Sequence, residues 1–127
     1  MFHARPVLVD ALRIWGLSDI AATVEAATST GALRMIAGEA GEKIRRVILF
    51  PPLRRDLRSA ARTLQMAATF AGRGDAENAA AMSIGVFTNA ASALSWRRPW
   101  TRFGWRKRRA EVVAMAVNEQ KAHRQLG

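Results

Sequence analysis

The feature that most constrains this chain is a pair of apolar ladders separated by a three-residue turn. After Pro51 and Pro52, the residues Leu53, Leu57, Ala60, Leu64, Ala67 and Ala71 step by four and three. After Gly72, Arg73 and Gly74, the residues Ala80, Ile84, Phe87, Ala91 and Leu94 do the same. Those steps hold one apolar stripe on one face of a helix, and each stripe must find another surface to cover it. A Gly-Arg-Gly turn between two such helices leaves them to cover each other, so the pattern predicts an antiparallel hairpin over residues 52–71 and 75–96. Pro51 and Pro52 suit the first turn of the first helix and Asp75 the N-cap of the second. The many alanines in both stripes permit close approach of the two backbones.

The flanking segments read as further helices. Pro6 fits a helix start, with Leu8, Ala11, Leu12 and Trp15 on one face, and Gly16 ends it. Ser18 or Asp19 is placed to cap a second helix bearing Ile20, Val24 and Ala27, which breaks at Thr28, Ser29, Thr30 and Gly31. A short third helix is expected to end at Gly38. Residues 39–50 are ambiguous between a helix, from Ala40, Ile44 and Ile48, and a buried strand, from Val47 to Phe50; the helical spacing is preferred. A last helix is expected over residues 110–125, with Val113, Ala116 and Val117 on its apolar face. The fold class that follows is all-α: one domain over residues 1–127, a small bundle of about five helices around the central hairpin.

Composition narrows the function. The chain has 127 residues, 50% of them hydrophobic, which suits one core, and it has no cysteine, which excludes disulfides, thiolate catalysis and Cys-ligated zinc. Its formal charge is +10, and the excess is placed unevenly. Residues 1–44 hold four cations against five acids, whereas sixteen cations face five acids from Arg45 onward. A surface of that sign attracts acidic macromolecules and repels itself when free.

Two clusters carry the excess. Residues 97–109 read RRPWTRFGWRKRR: Arg97, Arg98, Arg102, Arg106, Lys107, Arg108 and Arg109 with no acid, interleaved with Trp100, Phe103 and Trp105. Pro99 and Gly104 interrupt helix formation, so this segment is expected to be an irregular arm or turn. Guanidinium groups fork onto phosphate oxygens while rings stack on what lies beside them, the chemistry of a contact with RNA, DNA or an anionic lipid surface. The second cluster is Arg54, Arg58 and Arg62, stacked at i, i+4 with Arg55 beside them and Asp56 the one local acid.

Other motifs carry less. Residues 19–37 have the outline of a helix-turn-helix, but Arg34 is the lone base-reading candidate on the second helix and the region is net acidic. Arg73-Gly74-Asp75 is explained by a turn and a cap, and Lys107-Arg108-Arg109 is too short a basic run to argue import. His3 and His123 stand at opposite ends, and the chain has no phosphate loop, nucleophile elbow or zinc motif, so no catalytic site, cofactor, metal or small-molecule substrate is expected. Residues 79–96 lack charge, yet Ser83, Thr88, Asn89, Ser92 and Ser95 suit burial among protein neighbours better than hydrocarbon. No secretory signal is visible, so an intracellular, unsecreted protein is expected.

The sequence therefore predicts a small non-enzymatic protein that binds a polyanion, nucleic acid before others, through backbone phosphates. The alternative is a structural accessory subunit of a large assembly whose Trp/Arg segment meets anionic lipid or a neighbouring chain.

Overall fold

The structure is a computed structural model that describes residues 4–96 and Ala114. Five helices account for residues 4–96: α1 (Ala4–Ile14), α2 (Ser18–Ala26), α3 (Thr30–Val47), α4 (Pro51–Gly72) and α5 (Ala76–Ser95), with no strand among the described residues. The all-α bundle is thus the observed fold. Of the helix expected over residues 110–125 only Ala114 is described, and it is helical; the arm at 97–109 lies outside the described residues.

The central hairpin forms as its ladders require. α4 packs most extensively against α5 and next against α3, while α1 lies against α5 and α2. Leu53, Leu57, Ala60, Leu64 and Ala67 are buried along α4. Pro51 and Pro52 occupy its first two positions, where a missing N–H costs no intrahelical bond. Gly74 adopts a left-handed φ of +78°, a conformation that glycine takes without Cβ strain, and the chain reverses there. Asp75 then accepts the backbone N–H of Asn78 at 3.1 Å and the Asn78 side-chain amide at 2.6 Å, capping α5.

The hairpin seam is close. A Cβ built on Gly85 of α5 would lie 2.9 Å from the Thr63 Cγ2 of α4. Thr63 is β-branched and its hydroxyl donates to the Ser59 carbonyl at 2.8 Å, so it has little freedom to turn away. α5 buries a wider arc than its ladder implied: Ala79, Ser83, Val86, Ala90 and Ala93 are buried beside Ala80, Phe87 and Ala91, and Ile84 and Leu94 are only partly covered. Contact with both α4 and α1 explains the difference. The buried Ser83 hydroxyl donates to the Ala79 carbonyl at 3.0 Å and is not left unsatisfied. At the other end Trp15 Nε1 donates to the Ala93 carbonyl at 3.3 Å, tying the end of α1 to α5. No helix among the described residues is long and apolar enough to cross a membrane.

Three local expectations are corrected. The third helix does not end at Gly38; α3 runs on to Val47, with Leu33, Ala37, Ala40 and Ile44 buried in one unbroken stripe. Gly38 acts as a spacer, since a Cβ there would meet the Gln65 Nε2 at 2.9 Å. Neither Ser18 nor Asp19 caps α2: the N-cap is Leu17, without a side-chain acceptor but buried in the core. Ser29, read as part of a break, caps α3 by accepting the Ala32 N–H at 3.1 Å.

Two predictions follow from helix contacts and caps. Gly85→Ala should destabilise the fold by about 1–2 kcal/mol despite its better helix propensity, whereas Gly41→Ala, with open space at its Cβ, should stabilise by up to about 1 kcal/mol; urea melts compare the two. The second concerns Asp75, whose carboxyl is held below its ordinary value of 3.8 by the Asn78 side chain first and its backbone N–H second. A carboxyl whose pKa is depressed on folding stabilises above the unfolded pKa and loses that effect as pH falls through the folded value. Asp75→Ala should lower Tm at neutral pH, and the gap should close in thermal melts taken progressively below about pH 4.

Candidate polyanion-binding surface

On α4, residues four apart rise by about 6 Å and turn by about 40°, so Arg54, Arg58 and Arg62 form a shallow spiral, with Arg55 at its edge roughly 100° from Arg54. The same geometry puts Asp56 on the opposite side of the helix from the ladder. The structure bears this out: Asp56 is buried against α5, and its Oδ2 accepts the Ser92 hydroxyl at 2.7 Å and the Trp96 indole N–H at 2.9 Å. Sequence proximity suggested that Asp56 opposes the arginines; in space it faces away from them. Its position three residues after Leu53 and four before Ala60 was the signal for this, because it places the carboxyl at the edge of the buried stripe.

The arginine face forms one wall of an open groove of about 690 Å³ between α3 and α4. Arg54, Arg55, Arg58 and Arg62 all line it, with Ala37, Gly38 and Gly41 supplying the small-residue wall opposite and Pro51 and Pro52 one end. Glycine at 38 and 41 keeps α3 side chains out of the groove. None of the four arginines has an ion pair among the described residues, where the pairs are Arg13 with Glu25, Lys43 with Asp19 at 3.9 Å and Arg45 with Glu42 at 3.1 Å. Glu42 is the single acid on the groove wall, and Arg45 already engages it. By contrast, a second cleft of about 720 Å³ beside α2 is lined by Glu39, Glu42, Lys43 and Arg46, whose charges balance. Of these two, the α3–α4 groove is the one with an uncompensated sign.

Next to it lies a corner that the sequence did not resolve. Residues 39–50, for which helix was preferred over a buried strand, are helical as far as Val47, where α3 ends, and the backbone then turns extended at Ile48 and Phe50. Ile48 is 8% exposed and anchors the corner, but Val47 is 52%, Leu49 80% and Phe50 50% exposed. Phe50 meets Trp96 edge to face, with ring centroids 5.4 Å apart and planes at 85°. Arg45 and Arg46 of the last α3 turn are exposed just before this corner.

Trp96 thus holds Asp56 with its N–H and Phe50 with its ring, and the chain passes from it directly into residues 97–109. Of the residues expected to bind a polyanion, the structure brings together Arg54, Arg55, Arg58 and Arg62. Arg97, Arg98, Trp100, Arg102, Phe103, Trp105, Arg106, Lys107, Arg108 and Arg109 lie outside the described residues. Comparison with protein-family models, with curated proteins and with solved structures finds no match to this chain.

The buried carboxylate gives a clean separation of stability from binding. Asp56→Ala removes the two hydrogen bonds that its carboxylate accepts from Ser92 and Trp96 and should cost about 2 kcal/mol in urea unfolding. Because the carboxyl faces α5 and not the groove, affinity of the folded variant for a polyanion should change less than two-fold, a range set as roughly 0.4 kcal/mol by the binding relation.

Proposed function

We propose that this chain is a small non-enzymatic helical protein that binds a polyanion, nucleic acid in particular, through backbone phosphates. The observation that carries the reading is the set of four arginines lining one open groove with no ion pair among the described residues. Four guanidinium groups within reach of one another repel in the free protein, and a line of phosphates relieves that repulsion while releasing condensed counterions. Bidentate forks suit phosphate oxygens, and the groove walls offer no array of Asn or Gln with which to read base edges, so contact is with the backbone and tolerant of sequence. The basic aromatic residues 97–109, seven cations with no acid, contribute further phosphate and base contacts in this reading.

The test is the salt dependence of binding to an oligonucleotide. Replacing Arg58 and Arg62 with Ala should reduce the magnitude of the log-affinity versus log-salt slope by about 0.7 per lost contact on a single strand or 0.9 on a duplex. Replacing Arg106, Lys107, Arg108 and Arg109 with Ala should reduce it in the same proportion. Slopes unchanged in both variants would remove the proposal. An accessory subunit that meets other chains or anionic lipid would show no salt-dependent affinity for nucleic acid at all.

A further inference from the structure

We infer that the α3–α4 groove and the apolar corner at its end form a track for one single strand of nucleic acid, with phosphates along the arginine ladder and bases over Phe50 and Leu49. The inference rests on the reading that the groove takes a polyanion, and it specifies which one.

Spacing is the first argument. Arg54, Arg58 and Arg62 stand about 6 Å apart along the helix axis, close to the separation of successive phosphates along a single strand, so neighbouring guanidinium groups serve neighbouring phosphates. A linear polymer with regularly spaced charge suits that ladder, whereas the headgroups of a bilayer are laid out over a plane and cannot enter a groove in file.

The corner supplies the second argument. Pro51 and Pro52 line the groove's end, and the residues immediately before them are the exposed Phe50 and Leu49. A duplex offers its sugar–phosphate ridges and base edges but no free base faces, because its bases are stacked inside, and so gives these side chains no base to stack on. A single strand whose phosphates follow the ladder carries free bases past the corner, where a half-exposed ring and an exposed leucine can cover their faces. The Phe50 ring is already held edge to face by Trp96, so little motion is lost when a base lies on it.

The experiment compares four ligands by fluorescence anisotropy on the full chain: labelled oligothymidylate, an abasic strand of the same length, the corresponding duplex, and phosphatidylglycerol vesicles by co-sedimentation. Oligothymidylate should bind roughly ten-fold or more tightly than the abasic strand, and more tightly than the duplex. Phe50→Ala should remove most of that advantage while leaving the salt slope unchanged. Leu49→Ser, at a residue too exposed to matter for folding, should reduce it with an unaltered thermal melt. Equal binding of the abasic and base-bearing strands, or preference for the duplex, would overturn the track while leaving phosphate binding in place. Corner variants that weaken vesicle binding and spare the strand would overturn it in favour of lipid. Failure of every polyanion to bind would remove the underlying proposal as well.

Discussion

The close packing of α4 between α3 and α5 is the constraint on which the rest of the molecule depends. Both contacts are made through small residues: Gly85 lies over Thr63 on one side, and Gly38 over Gln65 on the other. At such short separations the leucines at 53, 57 and 64 fill the space, and every one of them is buried. A helix clasped on two sides has only one arc left to face solvent. On α4 that arc carries Arg54, Arg55, Arg58 and Arg62, so the packing that stabilises the bundle also determines where its unpaired charge is presented.

Burial of Asp56 is the electrostatic counterpart of that packing. A carboxylate on the outer face of α4 would sit among the four arginines and neutralise part of the groove. Instead it is turned into the α4–α5 contact and satisfied by two neutral donors, Ser92 and Trp96. Desolvating a carboxylate is unfavourable, and the two hydrogen bonds offset that cost. The arrangement keeps the one acid of α4 out of the groove while fixing the end of α5 to the start of α4.

Much of the architecture was legible in the sequence, because helix periodicity and turn chemistry are local. The two ladders, the Pro pair, the turn at Gly74 and the Asp75 cap each name their own geometry within a few residues, and the hairpin followed. What was hidden depends on neighbours. Gly38 looks like a helix stop until Gln65 is seen across from it, and Ser29 looks like part of a loop until Ala32 is seen beneath its hydroxyl. The corner at residues 47–50 misled for the same reason: four consecutive apolar residues signal burial, yet only Ile48 has a core to enter. For the candidate site, the arginine ladder could be read directly from its i, i+4 spacing, but its groove could not, since the opposite wall comes from α3 and its vacancy from two glycines.

Trp96 links these levels. A tryptophan at the end of a helix is ordinarily a way to cover its last turn, but here the indole spans three elements, bonding to α4 through Asp56, packing on the corner through Phe50, and closing α5 itself. The start of α4, the exposed apolar corner and the end of α5 therefore meet at one residue. Two helices joined in that order must place the beginning of α4 and the end of α5 together, so the hairpin topology, set by two glycines and an aspartate, brings Trp96 to Asp56 and to the corner at Phe50.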